Sequence, residues 1–201
     1  MNGRCFIFGA LPVEELKAAP GENDFVIAAD KGVLSLEKLG IKPDVIIGDF
    51  DSLGFVPEGN VIKLPVKKDK TDVGYAADYA FEKGYKTFYV YGAFGGLADH
   101  TVANLQISAD ISAKGGRMFL LGEKQTAFCI TDSTVKINGS GRLSVFAFGK
   151  KARGVTVTGA EYTLENADLD PFFPLGVSNS FLGAETQISV KSGTLLIIYD
   201  N

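Results

Sequence analysis

The chain has 201 residues, 46% of them hydrophobic, enough to bury one good core or two small ones. A formal net charge of −4 and a pI near 5.1 argue against a nucleic-acid surface, which is basic. No run approaches the ~20 consecutive apolar residues of a membrane span, and residues 1–10 are too short and too weakly charged for an export signal, so a cytoplasmic protein is expected.

Strand and helix patterns alternate over residues 1–123. Strand-like runs fall at 4–9, 25–29, 45–47, 61–64, 87–91 and 118–121, with helical stretches near 13–19, 33–39, 72–83 and 99–113. The third helix is the clearest: Val73, Ala76, Ala77, Ala80 and Phe81 recur at helical spacing on one face, and Gly84 supplies the stop. This alternation predicts an α/β domain built on a mostly parallel sheet with flanking helices. From 124 to 201 the pattern changes to short β-rich runs at 126–131, 135–137, 143–148, 155–157, 162–164, 186–190 and 194–199, separated by Gly and polar turns. They predict a smaller all-β sandwich domain. Cys5 and Cys129 sit in apolar runs without a Cys-x-x-Cys pattern and read as reduced core thiols. Asn138-Gly139 reads as a hairpin turn between two strands.

Chemistry gathers where strands end. Gly48-Asp49-Phe50-Asp51-Ser52 follows the run Val45-Ile46-Ile47, and Lys67-Lys68-Asp69-Lys70-Thr71-Asp72 precedes the third helix. If the backbone stays extended, Asp49 and Asp51 share one face. Magnesium suits such a pair, since it takes one or two carboxylates and completes its octahedron with water and phosphate oxygens. The bland alternatives are a solvated Asp turn and an N-cap at Thr71 or Asp72. Lys67 and Lys68 are expected in a solvated loop. The segment Tyr91-Gly92-Ala93-Phe94-Gly95-Gly96-Leu97-Ala98-Asp99-His100 is a Gly-rich strand-to-helix turn, a geometry that brings backbone N–H groups to a phosphate. In an open parallel sheet, Asp30, Asp49 and this turn should meet at the carboxyl edge. His100 is the lone histidine; it could contact a nucleotide or bond locally, and alone it makes no zinc site.

Ala28-Ala29-Asp30-Lys31-Gly32, Pro43-Asp44-Val45-Ile46-Ile47-Gly48-Asp49-Phe50-Asp51-Ser52, Asp69-Lys70-Thr71-Asp72, Gly95-Gly96-Leu97-Ala98-Asp99-His100 and Gly176-Val177-Ser178-Asn179 together resemble the thiamine pyrophosphokinase family, in its motif order and over essentially the whole chain. The resemblance implies transfer of a diphosphate from ATP to the hydroxyl of thiamine, with magnesium and release of AMP. It implies metal or catalytic roles for Asp49, Asp51 and Asp72, with Asp99 completing the acidic cluster and Asp51 or Asp72 open as the proton acceptor. Asp30, Lys70, Thr71, Gly95, Gly96 and His100 fall to the nucleotide side; Ser178, Asn179 and Phe181 fall to thiamine. It also implies a homodimer with shared active sites. Three positions depart from the pattern: Leu97 stands where Arg is usual, Lys31 where Gly is common, and Ser180 where Glu is frequent. Competing readings are a diphosphokinase for another heterocyclic alcohol, such as a hydroxymethylpterin, and a protein that binds nucleotide or thiamine diphosphate without catalysis.

Overall fold

A computed structural model describes residues 3–201, which divide into two compact units: residues 3–107 with Leu120–Gly122, and Ser108–Phe119 with Glu123–Asn201. In the first unit, five parallel strands run in the order β5 (Thr87–Tyr91), β1 (Cys5–Phe8), β2 (Phe25–Ala29), β3 (Val45–Gly48), β4 (Val61–Lys63). All four residues of β1 are buried, which explains an apolar run without alternation: a central strand is covered on both faces. The helices are α1 (Gly32–Lys38), α2 (Asp72–Glu82) and α3 (Ala98–Ala113). Helix α2 turns Val73, Ala76, Ala77 and Ala80 inward against β1, β2 and β3. Thr71, not Asp72, is its N-cap; the Thr71 hydroxyl accepts from Gly74 N at 3.1 Å. Gly84, at φ 93°, ends it.

The chain builds β1 to β4 in one direction and then returns to place β5 on the other side of β1. That reversal opens a crevice beyond the carboxyl ends of β1 and β5, where ligands bind in open parallel sheets. Gly32 lets α1 start tight against β1: a Cβ there would lie 1.8 Å from the Phe8 carbonyl oxygen.

Residues 13–19 are not helical, contrary to their pattern. The stretch between Pro12 and Pro20 is too short to sustain a helix without tertiary support. Its backbone groups find tertiary partners instead: the Tyr91 hydroxyl accepts from Ala18 N at 2.8 Å and donates to Ala18 O at 2.9 Å, and Val13 N donates to Ser35 Oγ.

After β6 (Arg117–Leu121), the second unit holds two antiparallel sheets. One orders β12 (Gly176–Ser180), β9 (Arg142–Ala147), β14 (Thr194–Asp200), β7 (Gln125–Thr131); the other orders β11 (Leu164–Leu169), β10 (Ala152–Thr158), β13 (Thr186–Ser189), β8 (Thr134–Ile137). Phe128, Val145, Val157, Ile188 and Ile197 belong to the core of this unit. Its Cys129 thiol, in no disulfide, is pushed up to about 12 by burial.

Three sequence expectations change here. Asn138-Gly139 does not close a hairpin, because β8 pairs with β13 while β9 pairs with β14 and β12. The segment carries the chain from one sheet to the other, with Gly139 against the Phe181 ring and the positive φ at Gly141. The strand expected at 162–164 begins only at Leu164, since the Tyr162 backbone is taken up by the Asn179 side chain. Gly176 to Ser180, outside the expected β-rich runs, is strand β12, bulged against β9.

Candidate active site

Asp30 and Asp49 leave adjacent parallel strands, and the two turns are locked together. Asp30 N donates to Ile47 O at 2.9 Å, and Ser52 Oγ donates to Asp30 Oδ2 at 2.6 Å. Asp30 has φ 49° and buried Phe50 has φ 62°. Left-handed backbone at such residues costs about 1–3 kcal/mol and persists only where the surroundings enforce it. The turn at Phe50 breaks the extended backbone on which a shared face for Asp49 and Asp51 depended. The chain leaves β3 at Gly48, Phe50 points inward, and Asp51 N folds back to donate to Asp49 Oδ1 at 3.3 Å.

Lys68 also departs from expectation. Instead of a solvated loop residue, its side chain is 8% exposed, with the ammonium hydrogen-bonded to Asp49 Oδ2 and 3.0 Å from Asp72 Oδ1. The second contact is an ion pair without hydrogen-bond alignment, for Asp72 Oδ1 is buried and otherwise unpartnered. The electrostatics are unequal. The Lys68 hydrogen bond holds the Asp49 carboxyl below the usual carboxylate range. At Asp72 burial dominates and raises the carboxyl, although Lys68 pulls the other way. Burial likewise opposes the Lys68 charge, but the two carboxylates outweigh it and raise the ammonium.

These groups flank a cavity of about 580 Å³ in the first unit, a size suited to a small-molecule ligand. Asp30, Lys68, Lys70, Thr71 and Asp72 line one side. Leu11, Gly96, Leu97 and His100 also line it, placing the β1 and β5 carboxyl ends and the α3 start around the same space. Gly92 and Gly95, at φ 65° and 91°, shape the turn into α3. Asn104 lines the cavity too, donating through Nδ2 to Ala93 O at 2.7 Å, which ties α3 to that turn.

The structure therefore brings Asp49 and Asp72 together at Lys68, with Asp30 and Asp72 lining the same cavity and Asp49 beside it. Lys70 lines the cavity while engaging Asp78 of α2. Asp51 and Asp99 are exposed and do not line it; Asp99 Oδ1 accepts from His100 N at 2.8 Å in the first turn of α3. Gly95 lies in the turn outside the lining. In the second unit, Ser178 is exposed at φ 59°. Asn179 is buried, with Oδ1 accepting from Tyr162 N and Ser180 N and Nδ2 donating to Tyr162 O. Phe181 packs in the core, edge-on to Tyr199. Two residues escaped sequence reasoning. Lys68 was signalled by its four-residue spacing to Asp72, which suits an ion pair at a helix start, whereas no local pattern marked Asn104.

A parallel sheet whose switch-point crevice carries paired carboxylates and lysines defines an α/β protein built to handle phosphate. The family model "Thiamin pyrophosphokinase, catalytic domain" matches residues 17–120, and "Thiamin pyrophosphokinase, vitamin B1 binding domain" matches residues 134–195. The thiamine pyrophosphokinase of Bacillus subtilis (strain 168) is 27% identical over 197 residues, 92% of each chain. Among solved structures, thiamine pyrophosphokinase from Bacillus subtilis superposes with a TM-score of 0.88 at 24% identity, covering 100% of this chain and 99% of that one. The Geobacillus thermodenitrificans protein gives 0.84 at 23%, covering 98% and 97%. The Candida albicans protein gives 0.77 at 14%, covering 100% and 90%, so the fold persists where sequence has largely diverged. The chain belongs to the thiamine pyrophosphokinase family. It is accordingly a transferase of thiamine diphosphate biosynthesis, an ATP-dependent kinase that places a diphosphate on thiamine.

Proposed function

We propose that the crevice beyond β1 to β5 takes ATP with magnesium, and that Asp49, Asp51 and Asp72 serve the metal and the reacting phosphates. The observation carrying this reading is the convergence of Asp49 and Asp72 on a single cation-sized position beside the 580 Å³ cavity. Among the described residues, no group of three or more metal-type side chains is preassembled. Two carboxylates nevertheless fit magnesium, which draws its remaining ligands from water and substrate phosphate. Bound there, magnesium would neutralise phosphate charge and favour in-line displacement at the β-phosphorus.

The protein's own groups position the reactants. Lys68 and Lys70 offer ammonium groups to the phosphates, the Gly95-Gly96 turn offers backbone N–H groups, and Asp30, Thr71 and His100 border the nucleotide. Asp99 adds negative charge in the first turn of α3. Asp72 suits removal of the thiamine hydroxyl proton, since its raised carboxyl is a better base than an ordinary aspartate; Asp51 is the other candidate. Residues 1–123 then form the nucleotide-binding catalytic domain and 124–201 the thiamine-binding domain. There Ser178 offers its hydroxyl to the aminopyrimidine, while Asn179 and Phe181 hold the strand that presents it. We further infer a homodimer with shared active sites, supported by the exposed apolar run Phe172, Phe173, Leu175 and Val177. A cytoplasmic location accords with two buried thiols that form no disulfide. The match over residues 134–195 favours thiamine over a pterin alcohol.

Incubation with ATP, magnesium and thiamine should give AMP and thiamine diphosphate and should stop on addition of EDTA. ADP with thiamine monophosphate would overturn the diphosphotransferase mechanism.

A further inference from the structure

Lys68 is unusual among the lysines of this chain. It lies on a loop, yet its stem is buried and its ammonium touches two carboxylates from different parts of the fold, one after β3 and one at the start of α2. Without a cation between them, Asp49 and Asp72 would repel across a partly desolvated gap. The ammonium therefore stands where the proposed metal would be drawn. The two cations cannot share that place without like-charge repulsion, and lysine carries its charge on a flexible four-carbon stem that can swing. Lys68 also lines the cavity, so a phosphate-filled crevice lies within its reach.

We propose that Lys68 is the resident cation of this site: it holds Asp49 and Asp72 in place before substrate arrives, yields them to the metal, and turns to the phosphates that come with it. The exchange rests on the magnesium–ATP reading above and adds a positioning residue to it. Lysine keeps the carboxylates preorganised and ionised without metal. It also makes metal alone a poor ligand, because metal without phosphate leaves the displaced ammonium with no anion to move to. Metal and nucleotide thus bind better together than separately.

The test uses Mn²⁺ alone as the probe, with free Mn²⁺ read from its electron paramagnetic resonance signal, on the full chain. Lys68→Met should bind Mn²⁺ about tenfold more tightly than wild type without nucleotide, corresponding to relief of roughly one like-charge contact. Its thermal midpoint should be lower than wild type without metal, and most of that gap should close in saturating Mn²⁺. KM for magnesium–ATP should rise about tenfold as the phosphates lose a cation. Lys68→Gln, which keeps a polar end, should show the same ordering if Lys68→Met fails to fold. Unchanged or weaker Mn²⁺ binding in the folded variants would overturn the exchange, because a merely structural lysine would lower stability without raising metal affinity. Asp49→Asn separates this failure from failure of the underlying reading. If Lys68→Met and the double variant Lys68→Met/Asp49→Asn bind Mn²⁺ alike, the carboxylates are not the metal site and both proposals fall. If Mn²⁺ exchange behaves as expected but no thiamine diphosphate forms, the exchange stands and the assigned reaction falls.

Discussion

Asp49 and Asp72 face the same ammonium, yet exchanging each for asparagine should have unequal consequences for stability. The fold favours ionised Asp49, which is hydrogen-bonded to a nearly buried lysine. Asp49→Asn removes a charge-assisted hydrogen bond and leaves Lys68 less compensated, a loss of about 2–3 kcal/mol. In a chain of this length that lowers the thermal midpoint by roughly 5–10 °C. Burial disfavours ionised Asp72 even beside Lys68, and Thr71 supplies the helix cap. A neutral isostere there gives up an ion pair but also relieves desolvation, for a net change below about 1 kcal/mol and roughly 3 °C. Turnover should not follow stability: both variants should lose about 10²–10³-fold in kcat, the range for removing one preorganised electrostatic group. Differential scanning calorimetry and a coupled AMP assay on the two purified variants check both halves. Equal thermal losses, or an Asp72→Asn enzyme with near-normal kcat, would refute this account of the pair.

Three further outcomes are expected. Arg4 donates to both carboxylate oxygens of Asp24 and holds that carboxyl down to about 2, below its usual value near 3.9. The resulting stabilisation, discounted to about 1–2 kcal/mol for the half-exposed Arg4, is present above pH ~4 and lost as pH falls toward 2; acid titrations of wild type and Arg4→Met should therefore converge near pH 2. Asn179→Ala strips partners from Tyr162 N, Tyr162 O and Ser180 N and should cost about 2–3 kcal/mol in calorimetry. Ser178→Ala should leave the thermal midpoint unchanged and raise KM for thiamine, a split that an exposed substrate contact produces and a structural residue does not.

Much of the first unit was legible because its signals are local. Phe25–Ala29 and Thr87–Tyr91 are apolar runs bounded by turns, and α2 carries a cap, an apolar face and a glycine stop within fourteen residues, from Thr71 to Gly84. The failures came where distant groups decide. Residues 13–19 have helical spacing, but Tyr91 and Ser35 claim their backbone groups. Asn138-Gly139 has hairpin chemistry, but its flanking strands pair into different sheets. Strand β12 has few apolar residues to announce it and is held by ladder bonds to β9. In the candidate site the carboxylates stood out by type and spacing. Lys68 did not, because a lysine in a polar loop looks solvated until β3 and α2 are brought around it.

The central place of β1 has a consequence for biosynthesis. Its sequence Cys-Phe-Ile-Phe is wholly buried and needs neighbours on both sides, β2 and β5. Translation delivers β2 soon after, but Tyr91, the end of β5, follows Phe8 by 91 − 8 = 83 residues. At ribosomal rates of about 5–20 residues per second, one edge of this wholly apolar strand waits roughly 4–17 s for its partner, before any time spent in the exit tunnel. An unpaired apolar edge is a template for association, so nascent chains arrested before β5 should recruit chaperones and resist folding, whereas chains arrested well beyond it should become protease-resistant. Among the five parallel strands, the first in sequence is thus among the last whose pairing is complete.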